Sequence, residues 1–247
     1  MAREAQCSIH QPNLFPRLST LAKLFASDVW VALDDVQFAR HDYQQRCRLA
    51  TIGDIGSQQW LTVPVHLPDG RATVINKVQL ADPVQAQRRL TGLLRQYYGR
   101  SPHWAAFTNS LDEVLAVLSN TDRLAELSEI STLVLLSLVG WPGRAQRSSE
   151  LPARAGRSER LADLTRACGA STYICGTGGA RYLDQQPFAQ RGLGVAFFTA
   201  PSHADSGIWQ GAGRVTALWA LMTIGPAALG RALREQATRA GGYRQPG

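Results

Sequence analysis

Two apolar strands joined by a short helix are predicted at the start of the chain, and they limit its fold more than any other feature. Ile9 lies in the first apolar run, which Pro12 and Pro16 stop because proline continues neither a strand ladder nor a helix interior. Ser19 is the expected N-cap of an amphipathic helix, and Val29–Leu33 has the pattern of a buried strand. A strand, a helix and a strand in this order favour a parallel βαβ unit with a right-handed crossover.

Polar side chains follow both of these strands at the point where each one ends. Because the carboxyl ends of neighbouring parallel strands open onto one crevice, these groups are expected to meet there. His10 with Asp34 or Asp35 would supply a general base and its orienting carboxylate, while the amides would hold a polar ligand. The alternative is that His10 and Asp34 only satisfy one another and the backbone of the proline-rich loop. The polar residues are His10, Gln11 and Asn13 after the first strand, and Asp34, Asp35 and Gln37 after the second.

The remaining elements indicate an α/β fold: a Rossmann-like, parallel or mostly parallel sheet flanked by helices. A single domain is expected over residues 1–247, with a helical insertion near 83–140, closing helices and a frayed tail at 240–247. The polar stretch 141–160 is expected to be a long loop. Further strands are predicted at Gln58–Leu67, Val74–Leu80, Thr172–Cys175 and Leu193–Ala200, and helices at Pro83–Tyr98, Ser110–Leu118, Leu124–Val139, Ser158–Cys168, 214–225 and 226–240.

The charge of the chain bears on its partners. The formal net charge is +7, the excess is mainly arginine, and the sequence pI is about 9.7. Such a surplus suits a polyanionic partner such as RNA, a nucleotide sugar or an acidic carrier. The alternative is an arginine-rich proteome that uses arginine wherever a solvated cation is tolerated, and no known nucleic-acid module is present.

The location of the protein is indicated by three features of the sequence. The four cysteines are widely spaced, without a C-x-x-C pair or zinc-finger spacing, so reduced thiols and no metal site are expected. The first residues have no apolar signal-peptide core, and no apolar run approaches the roughly 20 residues that span a bilayer. A cytoplasmic protein without membrane association is therefore predicted.

Further candidate ligand-binding groups lie after the first unit. Arg46 offers a planar fork suited to a carboxylate or phosphate, although it is equally compatible with an ordinary surface position. Gly176, in "YICGTGGARYL", stands where backbone N–H groups can cradle an anion, or where a tight turn needs positive φ. Ser158 is a predicted N-cap, and Glu150 and Glu159 are expected to pair with nearby arginines. A serine hydrolase is disfavoured because G-x-S-x-G is absent.

Eight strings in matching order resemble the WbqC-like family from about Ser8 to Leu183. They are "IHQPN", "SDVWVALDDVQF", "YQQRCRL", "WLTVPV", "SSEL", "GRSERL", "ACGASTYICG" and "YL". Members of that family occur in O-antigen and secondary-metabolite gene clusters, and the resemblance implies amide-forming transfer of an amino acid onto an amino sugar. The chain departs from the family pattern at Leu14, Arg17 and Tyr43, which favours a different substrate pocket and a natural-product pathway.

The resemblance also assigns the polar positions of a candidate site. The matching residues are His10, Gln11, Pro12, Asn13, Asp34, Asp35, Gln37, Gln44, Arg46, Ser148, Ser149, Glu150, Ser158, Glu159, Arg160 and Gly176. His10 with Asp34 or Asp35 would be catalytic, and the others would bind substrate. The expectation is that His10, an aspartate, Gln44 and Arg46 line one cavity, whose rim Glu150 and Arg160 close.

A biosynthetic transferase is the resulting hypothesis: it would join an activated acyl or aminoacyl group to an amine, with His10 as general base. Its small-molecule substrate would be served by an anionic donor, namely an aminoacyl-tRNA, a nucleotide or a carrier protein. A fainter resemblance to nucleotidylyltransferases and pantothenate synthetases leaves a nucleotide-dependent ligase open, although their His-x-x-His pair is lacking. A non-catalytic accessory binding protein is the third alternative. The sequence identifies no cofactor and no oligomeric state.

Overall fold

A five-stranded parallel sheet is at the centre of the structure, a computed structural model that describes residues 4–199 and 207–241. The strands of the chain are β1 (Gln6–His10), β2 (Val29–Ala32), β3 (Arg46–Thr51), β4 (Asp54–Thr62), β5 (Val65–His66), β6 (Gln79–Leu80), β7 (Arg144–Arg147), β8 (Thr172–Gly176) and β9 (Gly194–Phe198). The α-helices are α1 (Leu18–Phe25), α2 (Pro83–Tyr98), α3 (Trp104–Asn120), α4 (Leu124–Leu138), α5 (Ser158–Ala167), α6 (Thr177–Ala180), α7 (Gln186–Ala189), α8 (Ala217–Ile224) and α9 (Pro226–Gly241).

The order of the central strands is β7-β2-β1-β8-β9, and every pairing among them is parallel. The predicted α/β, Rossmann-like class is therefore confirmed. The chain moves outward from β1 to β2 and β7 on one side, and to β8 and β9 on the other. The strand order thus reverses between β1 and β8, which is the topological switch point where ligands of such sheets bind.

The opening βαβ unit forms as predicted, but its helix begins one residue before Ser19. Arg17 occupies the N-cap position without a side-chain capping bond. The first N–H groups of α1 are satisfied by distant main chain instead, since Ser19 N donates to Ala212 O at 2.9 Å and Leu18 N to Val215 O at 3.4 Å. The predicted Ser19 cap is wrong because tertiary contacts replace local capping.

The segment between residues 46 and 80 differs from its predicted form. Strands β3 and β4 form an antiparallel hairpin, of which the polar first strand was not predicted. Val74–Leu80 is not one strand, because a 3-10 turn at Ile75–Lys77 leaves only β6. The backbone of this turn forms hydrogen bonds with the loop after β2 and not with a neighbouring strand, and Asn76 N donates to Asp34 O at 2.7 Å.

Strand β7 lies inside the stretch that was predicted to be a loop. It pairs with β2 from Val29↔Arg144 to Ala32↔Arg147, at the edge of the sheet. Its sequence, Arg-Ala-Gln-Arg, has no apolar run because an edge strand needs none. The loop prediction is therefore wrong at residues 144–147. Of the other predictions, Ala200 and residues 242–247 lie outside the described residues.

The sheet is covered by helices on both faces. Residues of β2 alternate between the two cores, with Trp30 and Ala32 in one and Val29 and Val31 in the other, as the two-residue period of a strand requires. The larger core also contains apolar residues of α1, α4 and α8, and the smaller one contains residues of α5 and α7. Among the described helices, none combines the length and apolarity needed to cross a bilayer.

Candidate functional site

The ladder between β1 and β8 stops early and leaves an unpaired stretch, the switch-point gap, toward their carboxyl ends. Their pairing is confined to Gln6↔Thr172 and Cys7↔Tyr173. In contrast, β1 remains paired with β2 as far as His10↔Ala32, and β8 remains paired with β9 as far as Gly176↔Phe198. The two strands therefore part at the switch point, where the carboxyl edge can admit a ligand.

His10 ends β1 beside this gap. Because Cys7 and Ile9 belong to the smaller core, Ser8 and His10 point to the opposite face, which α1 covers. The main-chain carbonyl of His10 accepts hydrogen bonds from Leu33 N at 3.0 Å and from Trp30 Nε1 at 3.1 Å. Hydrogen bonds from β2 and the residue after it therefore fix the backbone that carries the imidazole.

The protonation state of His10 follows from its hydrogen bond. Its Nδ1 lies 2.8 Å from the carbonyl oxygen of Gln11, which only accepts, so Nδ1 carries the hydrogen and Nε2 has the lone pair. Burial and the positive charges of Lys23 and Arg17 lower the pKa of His10 to about 3, although the Gln11 carbonyl opposes this. The side chain is therefore a neutral base at physiological pH.

Three amide side chains belong to the surroundings of His10. Gln11 and Asn13 follow it in the chain, and Gln44 contacts Gln11. Gln44 Nε2 donates to Gln11 Oε1 at 2.7 Å, which joins the segment before β3 to the loop after β1. Asn13 and Gln44 are buried, and neither Asn13 Oδ1 nor Gln44 Oε1 has a hydrogen-bond partner among the described residues. Two buried carbonyl acceptors without a donor are the kind of groups that a ligand N–H would satisfy.

Hydroxyl groups of α4 position these amides, and sequence reasoning missed them. Ser128 Oγ donates to Gln44 O at 2.6 Å, and Thr132 Oγ1 donates to Asn13 O at 3.0 Å. Ser131 Oγ accepts from Phe15 N at 2.9 Å in the same loop. All three hydroxyl residues are buried on a mostly apolar helix. Their spacing of three and four residues was the available signal for a shared face.

Asp34 and Asp35 do not orient His10. Asp34 is buried and accepts hydrogen bonds from Ser149 Oγ at 2.7 Å, Ser149 N at 3.0 Å and Ser148 Oγ at 3.1 Å. Asp35 pairs with the guanidinium of Arg160 and with the Ser148 hydroxyl. His10 is therefore oriented by the main-chain carbonyl of Gln11 and not by a carboxylate, as the sequence had suggested. The two aspartates instead form a second polar cluster with Ser148, Ser149 and Arg160.

The arginines and acids after the first unit are engaged elsewhere. The guanidinium of Arg46 lies 4.2 Å from the Trp60 ring centre and donates to the main-chain carbonyls of His41 and Asp42. Glu150 and Glu159 are exposed and form no ion pair among the described residues, contrary to the expected pairing. The arginines of that stretch pair instead as Arg147–Glu129, Arg154–Asp163 and Arg160–Asp35.

Gln37 and Ser158 have clear structural contacts. Gln37 is exposed and donates from Nε2 to Arg71 O at 2.6 Å. Ser158 is the first residue of α5 and not its N-cap, which is Arg157, so the capping prediction is wrong. The Ser158 hydroxyl accepts from Asp184 N at 3.0 Å and connects α5 with the segment before α7.

Gly176 makes room for a lysine that the sequence analysis did not single out. Its φ is −80°, so the positive-φ interpretation is wrong. A Cβ atom at this position would lie 3.3 Å from Lys23 Cδ and 3.7 Å from Lys23 Nζ. Lys23 is 7% exposed, and burial lowers its pKa to about 8. The nearby thiols of Cys175 and Cys7 act in the opposite direction and raise this pKa. A lysine inside an apolar helical face was the sequence signal for this position.

Two surface depressions, of about 500 and 550 Å³, lie along α2 and the end of α3. Neither is lined by a residue of the predicted site. That His10, Gln44 and Arg46 line one cavity, with Glu150 and Arg160 at its rim, stays a prediction.

The chain is similar to a known protein family. The sequence model described as the WbqC-like protein family matches residues 11–227. The uncharacterized protein Rv1507c of Mycobacterium tuberculosis is 25% identical over 205 residues, which cover 83% of this chain and 87% of that protein. No solved structure matches the chain.

Proposed function

The chain belongs to the WbqC-like protein family, and from this premise we propose that it is a biosynthetic transferase that joins an activated acyl or aminoacyl group to an amine. The observation that carries the proposal is the geometry of His10 at the switch-point gap: its Nδ1–H is held by the Gln11 carbonyl, which leaves the lone pair of Nε2 to accept a proton. A general base needs this arrangement of a fixed tautomer and an available lone pair.

The proposed step is nucleophilic acyl substitution. The amine nitrogen forms a bond to the acyl carbon, and its proton passes to His10 Nε2. The bond from the acyl carbon to the oxygen or sulfur of the donor then breaks, and that atom leaves with the electron pair and takes the proton from the imidazolium. One amide forms, one ester, anhydride or thioester bond is lost, and His10 returns to its neutral state.

The unpartnered amide oxygens suit the amine substrate. Asn13 Oδ1 and Gln44 Oε1 are buried acceptors, and an attacking amine presents N–H groups that would satisfy them. Gln11 would keep Gln44 in position through the bond between their side chains. Hydrogen bonds of this kind fix the direction of the nitrogen lone pair toward the acyl carbon.

The second polar cluster has a supporting part in the proposal. Asp34, Ser148 and Ser149 satisfy one another and hold the ends of β2 and β7 together, while Asp35 holds Arg160 beside them. The Arg160 side chain is about a quarter exposed, so its outer N–H groups can donate to a substrate. Substrate binding by Gln37, Arg46, Glu150, Ser158 and Glu159 stays a prediction without a supporting contact.

We infer the setting of the reaction from its donors. An aminoacyl-tRNA, a nucleotide or a carrier protein is present in the cytoplasm, and a natural-product pathway is a suitable context for the amide product. The basic surface, with a net charge of +7, complements each of these anionic donors. A single folded domain over the whole chain is part of the same proposal.

Reconstitution of the full chain with a panel of amines and each donor class, followed by mass spectrometry, tests the function. A product should form with one donor class, and His10→Ala should lower kcat by about 10²–10⁴-fold, whereas His66→Ala, at an exposed position, should not. Product formation only from a free acid with ATP would support the ligase alternative. The absence of product with every donor would contradict the transferase and leave the accessory binding protein.

A further inference from the structure

We propose that Lys23 binds a phosphate group of the donor in the gap between β1 and β8. The assignment of that phosphate to a donor depends on the transferase function proposed above, whereas the binding of phosphate by Lys23 is an independent property of the chain.

The position of Lys23 is the first observation. The residue lies on α1, and its side chain crosses the carboxyl end of β8, where Gly176 has no Cβ to obstruct it. Ser8 and His10 of β1 face the same side of the sheet, and Ser8 Oγ donates to Lys23 O at 3.2 Å. The ammonium is therefore held at the place where β1 and β8 part.

The absence of a counter-charge is the second observation. Lys23 is more than nine-tenths buried, and no described residue offers its ammonium a hydrogen-bond acceptor or an ion pair. The titratable neighbours are the Cys7 and Cys175 thiols, with His10 and Arg17 nearby. With a pKa near 8 the group is mainly protonated at pH 7. A buried charge without a partner is unfavourable, so an anionic ligand is the group that this position lacks.

A second cation near the gap indicates the charge of that ligand. Arg17 lies with its guanidinium 4.2 Å from the Tyr43 ring centre and donates from Nη1 to Gly213 O at 3.2 Å. Its Nε is buried without a partner, and it has no ion pair among the described residues. Its charge acts on both His10 and Lys23. Two positive charges beside a neutral imidazole attract an anion, and the tetrahedral oxygens of a phosphate group can accept from an ammonium and a guanidinium at once.

The choice of lysine at this position is not a consequence of composition. The chain has 26 lysine and arginine residues, and only Lys23 and Lys77 are lysines. The Lys23 stem passes close to Gly176, where an added Cβ would lie 3.3 Å from its Cδ. Phosphate is also the chemistry that the three donor classes share, since RNA, nucleotides and the phosphopantetheine arm of carrier proteins all contain it.

Phosphate binding would change the base as well as hold the donor. The Lys23 charge is, after burial, the larger cause of the low His10 pKa. An anion at Lys23 cancels that charge, so the pKa of His10 should rise toward its ordinary value. The donor would then increase the basicity of His10 only when it is bound, and the imidazole would be more able to take the amine proton.

Titration calorimetry of the full chain at pH 7 tests the phosphate site with inorganic phosphate, AMP, 4′-phosphopantetheine and tRNA as separate probes. Inorganic phosphate should bind, and the probe that binds most tightly identifies the source. Lys23→Met should weaken binding by about 10- to 100-fold, the scale for a hydrogen bond to a charged group. The control Lys77→Met, at an exposed position, should leave affinity unchanged. No binding by the wild type, or equal losses in both variants, would overturn the proposal.

A labelling experiment on the wild-type chain provides a second measurement that needs no variant to fold. With only two lysines, acetylation by an amine-selective reagent can be followed at each by peptide mass spectrometry. Saturating phosphate should slow the acetylation of Lys23 at least several-fold and leave Lys77 unaffected. Equal rates with and without phosphate would overturn the proposal. If phosphate protects Lys23 but no donor gives product, the binding site stands and the transferase function fails.

Discussion

Gln44 Nε2 donates a hydrogen bond to Gln11 Oε1 at 2.7 Å, and this contact connects the segment before β3 with the residue that orients His10. The bond spans 33 residues of sequence and places a buried amide beside the candidate base. It also leaves Gln44 Oε1 directed away from any protein donor among the described residues.

Gln44→Leu should therefore affect substrate binding more than folding. The substitution preserves side-chain volume but removes the bond to Gln11 and one acceptor for the amine. We expect the free energy of unfolding to fall by about 1 kcal/mol, the net worth of one hydrogen bond, and KM for the amine to rise about 10-fold. Urea denaturation and steady-state kinetics measure the two effects. Gln190→Leu, on the exposed surface, is the control, and an unchanged KM for Gln44→Leu would contradict the amine site.

Asp34→Asn should reduce stability without changing the tautomer of His10. The carboxylate accepts from Ser148 and Ser149, whereas an asparagine would present one NH₂ group to the same donors. A loss of about 1–3 kcal/mol in the free energy of unfolding is expected. Nitrogen-15 NMR of the imidazole should still show hydrogen on Nδ1. A change of tautomer in this variant would instead show that Asp34 does orient His10, which would contradict the prediction.

The low pKa of His10 predicts a pH dependence of stability. In the unfolded chain a histidine titrates near 6.5, whereas in the folded protein His10 titrates near 3. Between these values the unfolded state binds more protons, so stability is fully present above pH 6.5 and is lost as the pH falls toward 3. The loss between pH 7 and 5 should be roughly 2 kcal/mol. Urea denaturation of the wild type and of His10→Gln at both pH values measures this loss. An equal change in the free energy of unfolding between pH 7 and pH 5 for the two proteins would contradict the prediction.

Lys23→Met should increase the stability of the protein, although it removes the ammonium proposed to bind phosphate. The methionine fills the space of the lysine stem without a buried charge. An increase of about 1–3 kcal/mol in the free energy of unfolding is expected at pH 7 in phosphate-free buffer. Thermal unfolding measures the change, and added phosphate should stabilise the wild type but not the variant. A strongly destabilised Lys23→Met would indicate a structural role for the ammonium.

Gly176→Ala should displace Lys23 without straining the backbone. The φ of −80° suits alanine, but the new Cβ would lie 3.3 Å from Lys23 Cδ, closer than ordinary contact. A several-fold loss of phosphate affinity with little change in the unfolding temperature is expected. Gly178→Ala is the matched control, because a Cβ there would meet no atom within 4 Å. Equal phosphate affinity in both variants would show that Lys23 does not depend on this space.

The sequence was sufficient for the parts of the site that local pattern determines. The buried run Val29–Leu33 and the proline-rich loop after Ile9 predicted two parallel strands, and their carboxyl-end polar residues, including His10, do lie at one edge of the sheet. Those features depend on residues within about one βαβ unit, where periodicity and proline chemistry are informative.

The rest of the site depends on contacts that no local pattern contains. Asp34 finds its partners at Ser148 and Ser149, more than 110 residues away, on a segment whose polar edge strand resembles a loop. The burial of Lys23 depends on the packing of α1 close to Gly176 of β8, which is a property of the assembled fold. Sequence spacing therefore suggested the acids as partners of His10, whereas tertiary structure assigns them elsewhere.

The hydroxyl groups of α4 have a consequence for the order in which the protein becomes competent. Ser128 is 84 residues beyond Gln44, and Thr132 is 119 residues beyond Asn13. During synthesis, every amide of the site and His10 leave the ribosome long before the helix that aligns them. Loop closure over such distances is slow and occurs late in folding. A nascent or truncated chain that stops before residue 124 would thus contain His10 and the amides without the helix that aligns them.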